Sequence, residues 1–226
     1  IALFTMHHIV SDEWSLRVFV DELSTLYEQF SAGVKSNLID LPIQYSDFAL
    51  WQREQLTDDR LATPLTYWKK QLSGELPVFK PPLRAHASIS APLRGSRADF
   101  TLSKELTSSL KTLARKQNVT MFMLLLAAFD VLLHRYTGDD DIIIGTPVAN
   151  RNQTEIERLL GFFSNTLVLR TSLSGSPRFT ELLKRVRELA LDAYAHQVGE
   201  PQMSGAEKTT SPTSVAEIGR CPCDDG

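Results

Sequence analysis

Apolar positions set the frame of the 226-residue chain. A short apolar run over residues 1–6 suits a central strand, and Leu16, Phe19, Leu23, Leu26, Tyr27 and Phe30 then recur at intervals that predict an amphipathic helix. Ser46 is placed to cap a second helix carrying Phe48, Leu50, Trp51 and Leu56. A third, with Leu61, Leu65, Trp68 and Leu72 on one face, closes at Gly74, and the three are expected to cluster. The proline-rich stretch from Leu76 to Gly95 has no period and reads as an extended crossing loop. Beyond it, Ala98, Phe100 and Leu102 alternate as in a strand, and Ser103 caps a helix with Leu106, Leu110 and Leu113 inward. Thr120 opens an apolar helix that stops at Gly138, and Asp141 to Gly145 has the β-branched density of a buried strand. Thr154 with Glu157 forms a capping box for a short helix, and Phe163 to Leu173 alternates in part as a strand. Ser176-Pro177 starts a last helix with Leu182, Leu183, Val186, Leu189, Ala190 and Ala193 on its apolar face.

This order of types predicts an α/β chain, a mixed sheet flanked by helices. Four segments follow: a first subdomain over 1–75, the crossing loop over 76–97, a second subdomain over 98–197, and a tail over 198–226. The tail has few large apolar residues and cannot offset its own ordering entropy, so disorder is expected there. Composition adds exclusions. A formal charge of −3 without a long basic run argues against nucleic acid or an anionic membrane as the main partner. The longest apolar stretch, Met121 to Leu133, is broken by Asp130 and too short to span a bilayer. No leader pattern precedes Ile1, so a cut start and a cytoplasmic protein are expected. The two cysteines, Cys221 and Cys223, lie in the last six residues and offer too few ligands for a metal, so no metal site is expected.

Chemistry concentrates between Phe4 and Ser15, where strand hands over to helix. Side chains alternate across a strand, so His7 and His8 should face opposite ways, one working and the other packed. Asp12 can cap the helix, hold a distant cation or orient an imidazole. For a histidine considered alone, a satisfied core position is the commoner role. Tyr45, Trp51 and Trp68 have the spacing of core aromatics.

Several segments together give these residues a context. His7-His-Ile-Val-Ser-Asp12 resembles the HHxxxDG signature of the condensation domains of nonribosomal peptide synthetases, in the chloramphenicol acetyltransferase-like superfamily. Tyr45-Ser-Asp-Phe-Ala-Leu-Trp51 is similar to that family's YxDFAxW segment, and Gly161-Phe-Phe-Ser-Asn-Thr166 with Arg170 to its GxFxNTxxxR segment. His134-Arg-Tyr-Thr-Gly138 and Gly145-Thr-Pro-Val-Ala-Asn-Arg151 resemble intervening family text, so the likeness extends over residues 1–197. Three departures accompany it: the family's amino-terminal portion is absent, residues from Val198 match nothing in the family, and Glu13 stands where the signature has Gly.

The resemblance implies a chloramphenicol acetyltransferase-like fold with an incomplete amino-terminal subdomain and most of a second. It implies amide formation between a donor thioester and an acceptor aminoacyl thioester. Both are presented on 4′-phosphopantetheine by carrier proteins, with no cofactor held by the domain itself. His8 becomes the site imidazole, accepting a proton from the amine or binding the tetrahedral intermediate, while His7 packs and Asp12 holds the turn. An α-amino group of pKa about 7.7–8.0 attacking an activated thioester makes little demand for a strong base. Asn165, Ser11 and Trp14 are candidates for lining the substrate tunnel. Glu13 is expected to lower activity, since it forfeits the freedom of glycine at the turn and sets a second carboxylate beside Asp12 and His8. Two other classes stay open: a superfamily acyltransferase using acyl-coenzyme A, and a non-catalytic remnant or carrier-docking piece.

Overall fold

A computed structural model describes residues 2–78 and 98–197. Most of the expected crossing loop and all of the expected tail lie outside the described residues. Seven α-helices and two strands are present among those described: α1 (Glu13–Ser31), α2 (Tyr45–Gln55), α3 (Asp58–Gln71), α4 (Lys104–Lys116), α5 (Met121–Thr137), β1 (Asp141–Val148), α6 (Thr154–Glu157), β2 (Asn165–Ser172) and α7 (Phe179–Ala195). The mixed α/β class stands. The described residues divide into two compact units interleaved in sequence, one from 2–65 and 147–166, the other from 66–78, 98–146 and 167–197.

In the second unit β1 and β2 pair in a two-stranded sheet, and Leu173 N–H donates to Asp140 O, which sets the end of one strand against the start of the other. The arrangement is therefore antiparallel. Helix α5 packs on both α4 and α7. Leu124, Leu126, Ile144, Leu167, Leu169, Leu182, Leu183 and Val186 are each at most 2% exposed and form the interior. Local signals set these elements: Ser103 and Thr120 accept from the N–H groups of Leu106 and Met123, and Gly138 leaves α5 at φ 79°. Arg170 ties down the segment after α3, donating to Asp141 and to the carbonyls of Gln71, Ser73 and Glu75.

In the first unit a smaller core forms from Phe48, Ile156, Leu159 and Phe163, with Leu41, Ile43 and Tyr45 packed against it. Several sequence expectations are corrected. Residues 2–6 are not a strand but an exposed segment without regular secondary structure, leading to a 3₁₀ turn, His8–Val10. Residues 98–102 are likewise exposed and without regular secondary structure. A strand exists only as part of a sheet, and the described sheet is made of β1 and β2, with neither stretch in it. The expected cluster of the first three helices is not among the closely packed pairs, which are α4 with α5 and α5 with α7. Three helix starts also differ. Gln44 precedes α2 in place of Ser46, its N–H donating to Asp47; Gln153 precedes α6 in place of Thr154; and Arg178 precedes α7, its N–H donating to Glu181, two residues after Ser176.

Candidate active site

Asp12 is the hub of the first unit's polar interior. As N-cap of α1 it accepts from Ser15 N–H through Oδ1 at 2.8 Å, while Oδ2 accepts from the N–H groups of Phe163 and Ser164 at 3.0 and 3.2 Å. The same carboxylate meets Arg151 Nη2 at 3.2 Å in an ion pair whose side chains are 1% and 0% exposed. Burial alone raises the Asp12 carboxyl, but the N–H groups of Ser15 and Phe163 and the Arg151 guanidinium outweigh it and hold the group below its ordinary value. Arg151 also donates to the carbonyls of Ile156 and Leu159 at 2.6 and 2.8 Å, and its guanidinium lies 3.9 Å from the centre of the Phe163 ring. Asp12 therefore joins the start of α1 to the chain from Ile156 to Ser164.

Gly161 needs its missing side chain for reasons of space. A Cβ there would overlap Cδ2, Cε2 and Cγ of the Tyr45 ring. Tyr45 Oη donates to Phe162 O at 2.8 Å, and the Tyr45 and Phe48 rings pack on Phe163 at 5.1 and 4.7 Å. The segments 7–12, 45–51 and 161–166 thus meet in one unit, with Arg151 from a fourth. Sequence reasoning quoted Arg151 and Gly161 only as motif letters and passed over Ser15. The chain separations of 139 and 146 residues leave no trace in local spacing.

His8 lies in the 3₁₀ turn, with its Nδ1 2.7 Å from Ser11 O. A carbonyl oxygen only accepts, so Nδ1 carries the hydrogen and, in the neutral ring, Nε2 is the free acceptor. The imidazole also stands edge to face with Phe162 at 5.3 Å and 82°. His7 is corrected from a packed residue to an exposed one: its Nδ1 accepts Ile9 N–H and caps the turn. The alternation argument required a strand, and the backbone here is a turn. Glu13 is the exposed first residue of α1, in helical backbone, and is absent from the positive-φ residues Asn118, Asn150 and Ser176. The conformational cost expected of a non-glycine residue at this turn does not arise.

Trp14 Nε1 donates to Glu157 O at 2.8 Å, Ser11 is 6% exposed, and Asn165 Oδ1 accepts from Thr166 N–H. Two cavities of about 490 and 460 Å³ belong to the second unit, and neither is lined by His8, Ser11, Trp14 or Asn165. Arg170 belongs to the second unit, where it pairs with Asp141. Among the described residues no three His, Cys, Asp or Glu side chains converge as metal ligands, and no single helix is long and apolar enough to cross a membrane.

Comparison with known proteins bears on the family and the fold. A family model described as "Condensation domain" matches residues 1–202. One of the linear gramicidin synthase proteins of Brevibacillus parabrevis is 50% identical over 195 residues, covering 86% of the chain but 4% of that far longer protein. Among solved structures, the SgcC5 protein of Streptomyces globisporus is 31% identical with a TM-score of 0.70, covering 84% of this chain and 43% of that one. The first condensation domain of the calcium-dependent antibiotic synthetase, at 22% identity, has the same fold, with a TM-score of 0.70 over 86% of this chain and 42% of that one.

Proposed function

Since the chain belongs to the condensation-domain family of nonribosomal peptide synthetases, we propose that its His8 site serves amide-bond formation between two carrier-bound thioesters. The acceptor amine attacks the donor thioester carbon, the C–N bond forms, and the C–S bond breaks. The proton lost by the amine leaves with the phosphopantetheine thiol. The partners are carrier proteins of the same synthetase, and the compartment this reading implies is the cytoplasm. The supporting observation is the Nδ1–H bond from His8 to Ser11 O, which leaves Nε2 as an acceptor for that proton or, once protonated, a donor to the tetrahedral oxygen. An activated thioester and an amine of ordinary basicity ask mainly for alignment, so holding the two acyl chains end to end supplies much of the rate. Asp12, with its hydrogen bonds already taken, holds the turn and carries no proton.

The test combines the chain with two phosphopantetheinylated carrier proteins, each bearing an aminoacyl group, and follows dipeptidyl thioester by mass spectrometry. Product should form and fall by at least about a hundredfold in His8→Ala. Equal yields from the two proteins, or transfer from free acyl-coenzyme A in place of a carrier, would overturn the reading. A second reading draws on SgcC5, whose structure is a complex with a naphthyl ethanediol. On this second reading an alcohol would take the place of the amine and the product would be an ester, so competition between amine and alcohol acceptors separates the two.

A further inference from the structure

Ser15 lies one helical turn beyond Asp12 and is 1% exposed. Its hydroxyl donates to Gly161 O at 2.7 Å and accepts from both Gly161 N–H at 3.0 Å and Arg151 Nη2 at 2.6 Å. One oxygen thus grips both polar atoms of a single glycine, and does so from the first turn of α1. Neighbouring contacts hold the following residues: Tyr45 Oη fixes Phe162 O, and Asp12 Oδ2 takes Phe163 and Ser164 N–H. What is left to project is the Phe162 ring, 40% exposed and edge to face with His8.

We propose that Ser15 is a positioning residue for the His8 site, its buried hydroxyl clamping Gly161 and thereby setting the Phe162 ring against the His8 imidazole. The proposal rests on the functional reading above for its kinetic consequence, though not for its geometry. Ser15 touches no reacting atom. It acts through the orientation of Gly161, because a residue whose N–H and C=O are both held cannot rotate its neighbouring peptides freely. The Tyr45 ring blocks the other direction, as it already occupies the space of a Gly161 Cβ.

The experiment has a spectroscopic and a kinetic arm, both on the full chain. With ¹⁵N-labelled histidine, Ser15→Ala should shift the His8 ring signals and raise the share of the tautomer protonated at Nε2. Ser15→Thr, which keeps the hydroxyl, should restore the wild-type pattern. Phe162→Ala removes a half-exposed ring without disturbing the buried network, so it keeps the test available if Ser15→Ala does not fold, and it should reproduce the His8 shift. In dipeptide formation, Ser15→Ala should lower kcat by roughly tenfold to a hundredfold with KM changed by less than about twofold. The double variant should be no slower than Phe162→Ala alone. Unchanged His8 signals in Phe162→Ala, or additive losses in the double variant, would overturn the proposal. A wild-type chain that forms no peptide refutes the functional reading instead, and leaves the His8 signals to decide the role of Ser15.

Discussion

Asp12 and Asp130 are both withdrawn from water, at 1% and 0% exposure, yet their units treat them in opposite ways. Around Asp12 the first unit gathers three backbone N–H groups and a guanidinium. Around Asp130, in the middle of α5, neither carboxylate oxygen has a hydrogen-bond partner, and nor has the buried Thr171 hydroxyl on β2. Burial pushes the Asp130 carboxyl up to about 7, and the Thr171 hydroxyl, near enough to exert a smaller opposing pull, does not reach it in hydrogen-bond geometry. The signs of the resulting pH dependence differ. Asp12, depressed in the fold, contributes stability that is present above its unfolded pKa and lost as pH falls through the folded value. Asp130, raised in the fold, binds a proton more tightly when native, so its contribution is full below pH 3.8 and is lost as pH climbs to about 7. A buried carboxylate thus organises a site where the chain supplies donors and limits stability where it does not.

The largest effect should come from Arg151→Met, which strands Asp12 and the carbonyls of Ile156 and Leu159 in the interior. We expect a loss of about 5 kcal/mol in denaturant unfolding. Adding Asp12→Asn should cost less than the sum of the single changes, because the charge left unpaired is then gone. Asp130→Asn probes the carboxylate that lacks donors. The wild-type unfolding free energy should fall, on the order of 4 kcal/mol, between pH 4 and about 7 from this group, and the variant should lack that fall. A Gly161→Ala change drives a methyl into the Tyr45 ring and should cost about 1–3 kcal/mol, with part recovered in Tyr45→Ala. Smallest is Glu13→Gly: an exposed helical position loses propensity and a favourable dipole contact, lowering stability by about 1 kcal/mol or less, with no gain in peptide formation. A rise in activity there would restore the view that Glu13 impairs the site.

What the sequence made legible was local. The caps at Asp12, Ser103 and Thr120, the αL stop at Gly138 and the β-branched run after Asp141 each act within a few residues, and α1, α4, α5 and β1 follow from them. Residues 2–6 and 98–102 are not strands, because apolar content and alternation state only what a strand would present if it joined a sheet. His7 went wrong with the first of these. At α2 and α7 a carboxylate at the third helical position takes the N-cap N–H, so Asp47 and Glu181 mark the start better than the hydroxyls of Ser46 and Ser176. The parts of the site that escaped, Arg151, Ser15 and the Gly161 contact, join residues more than a hundred positions apart. Family motifs named the segments involved; only the fold paired their atoms.

Asp12 holds the motif segment to α1 as a structural hub. Native-state hydrogen exchange at the amides of Ser15, Phe163 and Ser164 tests it most directly, in wild type and Asp12→Asn. Protection at all three should fall together in the variant, while Val186 and Ala190 in α7 keep theirs. Retained protection at Phe163 and Ser164 in Asp12→Asn would contradict it.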